Sequence, residues 1–477
     1  GWNFTGYTRL GFPFPYVGHN GHLGWVSTDN SADQADAYVI RFDDPSRPLA
    51  YRYGGGWRSA VEWTDTIRVR TERGVEERVV RLRKTHHGPI VGQRGGRPVA
   101  LRLAKLEADG WLGEWYAMTR ARSVADLKAA MQPLNMLFGN VMSADRDGNM
   151  FYLYNAAVPR RDPRFDWSTV VDGSDPATEW RGYHTLAELP QLENPATGWM
   201  HNCNSSPFML TSSGNPEPER FPAYMVTEGD NPRARVSREI LQGTSTWTFD
   251  DWSRAAFDTR VVTADSLLPP LLEAVARART TASDSASRRV REAADSLRRW
   301  DHRASTSSVA TTIYSRWRER IQAERERGTL AAEGATMLSA VLDDLVRQFG
   351  TWRVPWGEVT RHQRPDERAA EPFADARPSL PLAGVNGADG AVFTYYARPE
   401  SGQRRRYGVA GASYVSVVEL APRVRGRSVH VYGASGDPAS PHYFDQAALY
   451  ARGELKPAWL YREAVLANAV RSYRPGR

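Results

Sequence analysis

The apolar residues of this chain change their spacing twice, and that change restricts the fold more than any single motif does. Up to about Trp247 the runs alternate, as in Thr66-Ile67-Arg68-Val69-Arg70 and Val79-Val80-Arg81-Leu82-Arg83. Alternation of this kind predicts half-buried strands with one wet face. Met150-Phe151-Tyr152-Leu153-Tyr154 is continuous instead, as a strand covered on both faces would be, and it follows Asp145-Arg146-Asp147-Gly148-Asn149, whose Asp-Gly pair signals a turn. Over residues 266–317 the spacing becomes helical. Leu267, Leu271, Leu272 and Val275 share one face, and Val290, Ala294 and Leu297 share another. A Ser/Thr/Ala/Arg-rich stretch over 280–287 reads as an exposed loop, and a further helical block covers 334–347. After Val354 the strand pattern returns, most clearly in Tyr414-Val415-Ser416-Val417-Val418. Strand, helix and strand without strict alternation predict an α+β fold with a helical section inserted into or packed on a sheet core. The spans are 1–246, 247–353 and 354–477, and no internal repeat is visible.

A chain of 477 residues, 41% hydrophobic and 11% aromatic, has ample material for a large core and is too apolar to be disordered. The net charge of +7 arises from 62 basic against 55 acidic residues. The two signs are interspersed, with no basic stripe carrying interleaved aromatics, so nucleic acid is not the expected partner. The single cysteine, Cys203, can form neither an internal disulfide nor a Cys-rich zinc site, and reads as a small buried hydrophobe. No apolar run reaches the ~18 residues needed to span a bilayer. The first residues, Gly1-Trp2-Asn3-Phe4-Thr5-Gly6, show no initiator Met, no basic region and no apolar leader, and read as the middle of a protein.

The common hydrolase and nucleotide signatures are missing. Gly433-Ala434-Ser435-Gly436 has the wrong spacing for a G-x-S-x-G elbow and is expected to be a tight surface turn. There is no H-E-x-x-H, P-loop or G-x-G-x-x-G. His86 and His87 are adjacent, so on a strand their rings would point to opposite sides rather than converge on a metal.

What does stand out is Gly11-Phe12-Pro13-Phe14-Pro15-Tyr16-Val17-Gly18-His19-Asn20-Gly21-His22-Leu23-Gly24-Trp25-Val26-Ser27-Thr28, a stiff aromatic loop, a Gly-His-Asn-Gly turn and a short strand ending in hydroxyls. Further blocks follow in order: Thr85-His86-His87-Gly88-Pro89-Ile90-Val91; Asn140-Val141-Met142-Ser143-Ala144-Asp145-Arg146-Asp147-Gly148-Asn149 with Pro159-Arg160-Arg161; Asn194-Pro195 with Gly198-Trp199-Met200-His201-Asn202-Cys203-Asn204-Ser205-Ser206-Pro207; and Gly433-Ala434-Ser435-Gly436-Asp437-Pro438-Ala439-Ser440-Pro441-His442-Tyr443. Together, across nearly the whole chain, they resemble the β-subunit of penicillin amidases and acyl-homoserine-lactone acylases, which are N-terminal-nucleophile hydrolases.

The resemblance implies a four-layer αββα sandwich, made as a precursor that cleaves itself into an α and a β chain. It also implies hydrolysis of a small-molecule acyl amide, with the α-subunit of the same precursor as partner and a periplasmic or secreted location. The nucleophile of that family is a Ser at the new β N-terminus, and its own α-amine is the base. An α-amine titrates near pH 8, so no separate histidine is required. By resemblance the oxyanion donors are the side-chain amide of Asn204, with Asn202 as the alternative register, and the backbone N–H of Asp29. Arg235 falls where the family has an active-site arginine, with Arg233 and Arg238 as alternatives. Tyr16, Val17, Ser27 and Ser31 are expected at the acyl pocket. Asp33, Ala35 (through its carbonyl) and Asp36 line up with calcium ligands of some members, and no other cofactor is implied. One departure matters: the family's Ser lies several tens of residues before the Gly-His-Asn segment, and here only 17 residues precede Gly18. A piece of a longer product, a segment supplied as another chain and a natural loss all account for that, the first being favoured. The rival reading is a non-catalytic protein that keeps an acyl-amide pocket without turnover.

Overall fold

The computed structural model of the chain describes residues 3–136, 138–277, 285–326, 334–366, 372–472 and 474. Internal contacts divide it into two units. The first holds Gly1–Gly24, Trp199–Ser205 and Asp230–Arg477; the second holds Trp25–Gly198 and Ser206–Gly229. The helical section and the C-terminal strands thus share one unit with the N-terminal residues, a different partition from the spans 1–246, 247–353 and 354–477.

In the first unit, the helices Thr263–Arg277, Ser285–Arg298, Val309–Glu326 and Gly334–Phe349 close on a core that includes Leu268, Leu271, Leu297, Tyr314, Trp317 and Leu342. The face expected from Leu267, Leu271, Leu272 and Val275 is the one that meets this core, with Leu268 and Ala264 added to it. Leu268 is buried, while Leu267, Leu272 and Val275 pack at the rim. Residues 280–284 of the expected loop lie outside the described residues, and 285–287 already form the first turn of a helix. The same core takes in Val359 and Val385, next to the sheet whose order is Leu380–Pro381, Thr360–His362, Arg406–Gly411 and Tyr395–Pro399. Tyr414–Glu419 pairs with Arg425–His430, as its alternation predicted. At the N-terminus Thr5–Tyr7 runs antiparallel to Val17–His19 so closely that a Cβ on Gly18 (φ +150°) would sit 2.3 Å from the Thr5 carbonyl.

In the second unit, one sheet runs Val171–Asp172, Ala35–Val39, Arg97–Leu103, Gly88–Arg94, Gly74–Thr85 and Val61–Thr71. Its last two strands form a long ribbon joined at Thr71↔Gly74. Gly88–Arg94 pairs with the ribbon only at Lys84↔Pro89 and Thr85↔Gly88. Most of the ribbon therefore lacks a covering neighbour, and Ile67, Val75 and Val79 are exposed. The alternation there gave the right element and the wrong burial. In the other sheet, residues 25–28, Phe138–Asp145, Met150–Ala156 and Gln191–Glu193 are successive neighbours. Phe151 through Tyr154 are fully buried, as their continuous pattern required. The Asp145 carboxylate fixes the preceding turn by accepting the N–H groups of Asp147 and Asn149, each at 3.0 Å.

A buried ion cluster holds this unit together. Arg161, whose side chain has no exposed surface, donates Nε to Asp36 Oδ2 at 2.8 Å, Nη2 to Asp33 Oδ1 at 3.0 Å and Nη1 to the Asp33 carbonyl at 3.1 Å. Trp180 Nε1 donates to the same Asp36 oxygen at 2.5 Å. Burial pushes the Asp33 carboxyl above its ordinary value, with Arg161 opposing that rise.

Two stability predictions follow from these buried charges. Removing one partner of a buried pair strands the other, so Arg161→Met should cost about 3–5 kcal/mol by chemical denaturation; a loss below about 1 kcal/mol would mean that the carboxylates are solvated in the folded protein. In the first unit, His362 donates Nε2 to the Val431 carbonyl at 2.6 Å and stacks on Tyr432, and burial lowers its pKa from 6.5 to about 4 despite that bond. A histidine depressed in this way keeps its contribution above the unfolded value of 6.5 and loses it as pH falls towards 4. The urea midpoint should therefore fall through that window, and His362→Phe should flatten the fall; an unchanged slope would exclude His362 as a source.

Candidate functional site

The expected oxyanion residue lies on a loop whose shape is set by the helix that follows it. Asn231 caps Pro232–Gln242, its Oδ1 accepting the Ala234 N–H at 3.1 Å, and Pro232 occupies the first helical position. The same Asn231 donates Nδ2 to the carbonyls of Cys203 (3.0 Å) and Asn204 (3.2 Å). One residue into the helix, Arg233 Nη2 donates to the Cys203 carbonyl at 2.8 Å and to Asn204 Oδ1 at 2.9 Å. Asn202 supports the loop from the other side by accepting the Asn204 N–H at 2.9 Å and donating Nδ2 to the Ser205 carbonyl at 3.1 Å. Asn204 is thereby held at φ +56°, a left-handed conformation that Asn tolerates better than most residues. With Oδ1 turned to Arg233, the Nδ2H₂ group is the donor end of the side chain. Asn202 is its support rather than its substitute.

The arginine at Asn204 is Arg233, which corrects the expectation of Arg235. Arg235 lies two residues further along the helix, about 200° around it, and is exposed. Arg238 is engaged elsewhere, with Asp230 at 2.6 Å. Burial pushes the Cys203 thiol above its ordinary value, which disfavours the thiolate and agrees with a structural cysteine. Also in the first unit, Val17 pairs opposite Tyr7, and Tyr16 lies half-buried beneath the Arg9 guanidinium, 4.2 Å from its ring centroid. Asn20 closes the Gly-His-Asn turn by accepting the N–H groups of His22 and Leu23 at 2.8 and 3.0 Å. The Gly18-His19-Asn20-Gly21 string there forms the turn.

The second unit carries Asp29, Ser27 and Ser31. Asp29 is exposed, and its carbonyl accepts Asn140 Nδ2 at 3.1 Å, while Tyr152 donates its hydroxyl to Asn140 Oδ1. Asn30 Nδ2 donates to the Asn155 carbonyl at 3.1 Å. Ser31 donates its N–H to Glu228, whose other oxygen accepts the Tyr154 hydroxyl at 2.6 Å. The segment over 29–31 is thus pinned by Asn140, Asn155 and Glu228; of these only Asn140, which opens one of the family blocks, figures in the sequence reading, and without this role, because the anchors lie over a hundred residues away. Ser27 Oγ is buried without a hydrogen-bond partner, over Gly139, where a Cβ would come within 2.9 Å of it.

Asp33 and Asp36 do come together, but on Arg161. Ala35 begins the Ala35–Val39 strand, opposite Leu103. A calcium ion on these carboxylates would share both with a buried guanidinium, so the residues present do not fit one.

The histidine pair also differs from expectation. His86 and His87 form the two-residue turn between Gly74–Thr85 and Gly88–Arg94, where strand alternation does not apply. Their ring centroids are 3.8 Å apart, and both approach Glu179. Against the penalty of burial, bonds from His86 and Arg102 hold the Glu179 carboxyl down at about 2, while burial pushes His87 down to about 4.

The penicillin amidase family model matches residues 1–467. The penicillin acylase 2 proenzyme of Pseudomonas sp. is 26% identical over 514 residues, covering 98% of this chain and 63% of that protein. The acyl-homoserine lactone acylase PvdQ of Pseudomonas putida is 26% identical over 500 residues, covering 93% and 61%. The chain thus spans less than two thirds of the length of these curated relatives. A thermostable penicillin G acylase from Alcaligenes faecalis superposes with a TM-score of 0.66 over 99% of this chain and 93% of that one at 19% identity, which shows a shared α+β fold. Matched by the family model over almost its full length, the chain belongs to the penicillin amidase family.

Proposed function

We propose that the protein containing this chain hydrolyses linear N-acyl amides, and the observation that carries this is Asn204, set at positive φ with its carbonyl end turned to Arg233. Attack on an amide carbonyl puts negative charge on oxygen, and donors fixed before the reaction stabilise it without reorganising. In this reading the Asn204 Nδ2–H is one donor and the Asp29 backbone N–H the other. Arg233 is a positioning residue, since it acts through Asn204. The attacking group is a serine at a processed β-chain N-terminus, whose α-amine takes the hydroxyl proton and returns it to the departing amine. That assignment rests on family membership, and so do an α-subunit from the same precursor and a periplasmic or secreted location; the proenzyme name of one relative supports the first. Tyr16 and Val17 are assigned to the acyl chain, and the Ser27 and Ser31 hydroxyls to its polar end. Among acyl amides we favour acyl-homoserine lactones and lipopeptides over β-lactam side chains, on the Asn202-Cys203-Asn204 wording and the Gly433 to Tyr443 segment; a relative named for acyl-homoserine lactones supports the lean.

The test is to express the complete open reading frame encoding this chain, sequence the N-termini of the product and assay release of the amine from acyl amides. Two chains, a serine at the start of one and turnover are expected; binding without turnover would favour a non-catalytic acyl-amide protein. In the active enzyme Asn204→Ala should lower kcat by about 10²–10³, the range found when one oxyanion donor is removed. Arg233→Ala should also lower kcat, with KM changed less, and should exceed the effect of Arg235→Ala. The opposite order would reassign the arginine.

A further inference from the structure

We propose that His87 Nδ1, His86 Nε2 and Glu179 Oε1 form a binding site for a divalent cation of the zinc class, an inference independent of the acylase reading. The three ligand atoms lie within 4.8 Å of one another. They come from separate stretches of chain: the Thr85–Gly88 turn supplies both rings, and Glu179 closes the short Pro176–Thr178 helix.

The decisive group is His87. Its side chain is completely buried, stacked on Tyr38 with ring centroids 4.0 Å apart. Nε2 lies 2.9 Å from the Gly173 carbonyl, so that nitrogen carries the proton. Nδ1 is then a bare lone pair, and it is buried with no hydrogen-bond partner among the described residues. It stands 4.0 Å from Glu179 Oε1. Two electron-rich atoms at that distance, with no proton donor assigned to one of them, leave an unmet demand for positive charge. Zinc–nitrogen and zinc–oxygen bonds of about 2.0–2.2 Å would span the gap, and closing it to roughly 3.4 Å would give a tetrahedral angle. The two nitrogens and one carboxylate oxygen suit zinc better than a hard cation.

His86 is also prepared. Its Nδ1 lies 2.8 Å from the Tyr51 hydroxyl and its Nε2 2.6 Å from Glu179 Oε1. Moving the ring proton from Nε2 to Nδ1, where it would be donated to Tyr51, frees Nε2 for the metal with no net change of charge. The oriented nitrogen–phenol contact is then the kind of support that metal-bound imidazoles use. Arg102 stays on Glu179 Oε2 at 2.7 Å, and Oε1, which accepts the Tyr53 hydroxyl at 3.3 Å, keeps a further lone pair for the metal. Both histidines line a cavity of about 360 Å³. Gly88 makes the close turn possible, since a Cβ there would lie 1.9 Å from the Leu101 carbonyl.

The complete purified protein containing this chain, stripped with chelator, is titrated with zinc chloride and, for spectroscopy, with cobalt chloride. One zinc per chain, visible cobalt bands of nitrogen–oxygen coordination and a melting temperature raised by several degrees are expected. His86→Gln, at a partly exposed turn position, should keep the metal-free melting temperature and weaken zinc binding at least tenfold; Glu179→Gln should do the same to binding. No stoichiometric uptake would overturn the proposal. So would uptake left unchanged in His86→Gln, because the ion would then sit on other histidines of the chain.

Discussion

The chemistry assigned to this chain depends on one short backbone segment being held in a conformation it would not choose alone. Asn204 sits at positive φ, which an unsupported Asn adopts only as a minor state. Three donors from the start of the following helix, two from Asn231 and one from Arg233, hold the carbonyls of Cys203 and Asn204, while Asn202 accepts the Asn204 N–H. Each such bond contributes on the order of 1 kcal/mol, and bonds from a charged donor contribute more, so together they exceed a backbone cost of about 1–3 kcal/mol. The helix therefore does more than follow the loop: its cap residue holds the loop with the same side chain that starts the helix.

The loop over 29–31 is held by the same logic in a different element. Asn140 belongs to a fully paired strand, and Tyr152, across the ladder from Met142, takes up its other amide end. A side-chain amide used in this way can be turned only one way round, because the Asp29 carbonyl can only accept and so takes the NH₂ end, leaving the amide oxygen for the hydroxyl. Glu228 plays the equivalent part for Ser31, with Tyr154 on its second oxygen. Rigid strands thus fix a peptide on an exposed loop, where a backbone donor would otherwise be free to rotate.

Legibility in the sequence followed the range of the interaction. Met150–Ala156 and Tyr414–Glu419 could be read because burial on both faces, or on one, writes itself into neighbouring residues. The family string from Gly11 to Thr28 was equally local. The choice of Arg233 over Arg235 could not be read, since both belong to one short basic run and only the helix start decides which faces the loop. The exposed ribbon of Ile67, Val75 and Val79 misled for the converse reason: alternation reports a strand, and burial depends on a neighbour that ends at Lys84. The anchoring roles of Asn140 and Glu228 left no local mark because their partners lie far along the chain.

Two carboxylate clusters in the second unit show why donor type outweighs residue count in judging a cation site. Asp33 and Asp36 offer only oxygen, the donor set of a hard cation, yet Arg161 meets both carboxylates and a carbonyl with its planar fork. That fork matches carboxylate geometry in a way no single ammonium could, so the cation of this cluster is built into the chain. Glu179 has an arginine too, but Arg102 meets one oxygen only, at 2.7 Å. A guanidinium neutralises carboxylates; it does nothing for a histidine lone pair buried beside one. The adjacency of His86 and His87, which on a strand would have separated them, brings them together because a two-residue turn suspends the alternation.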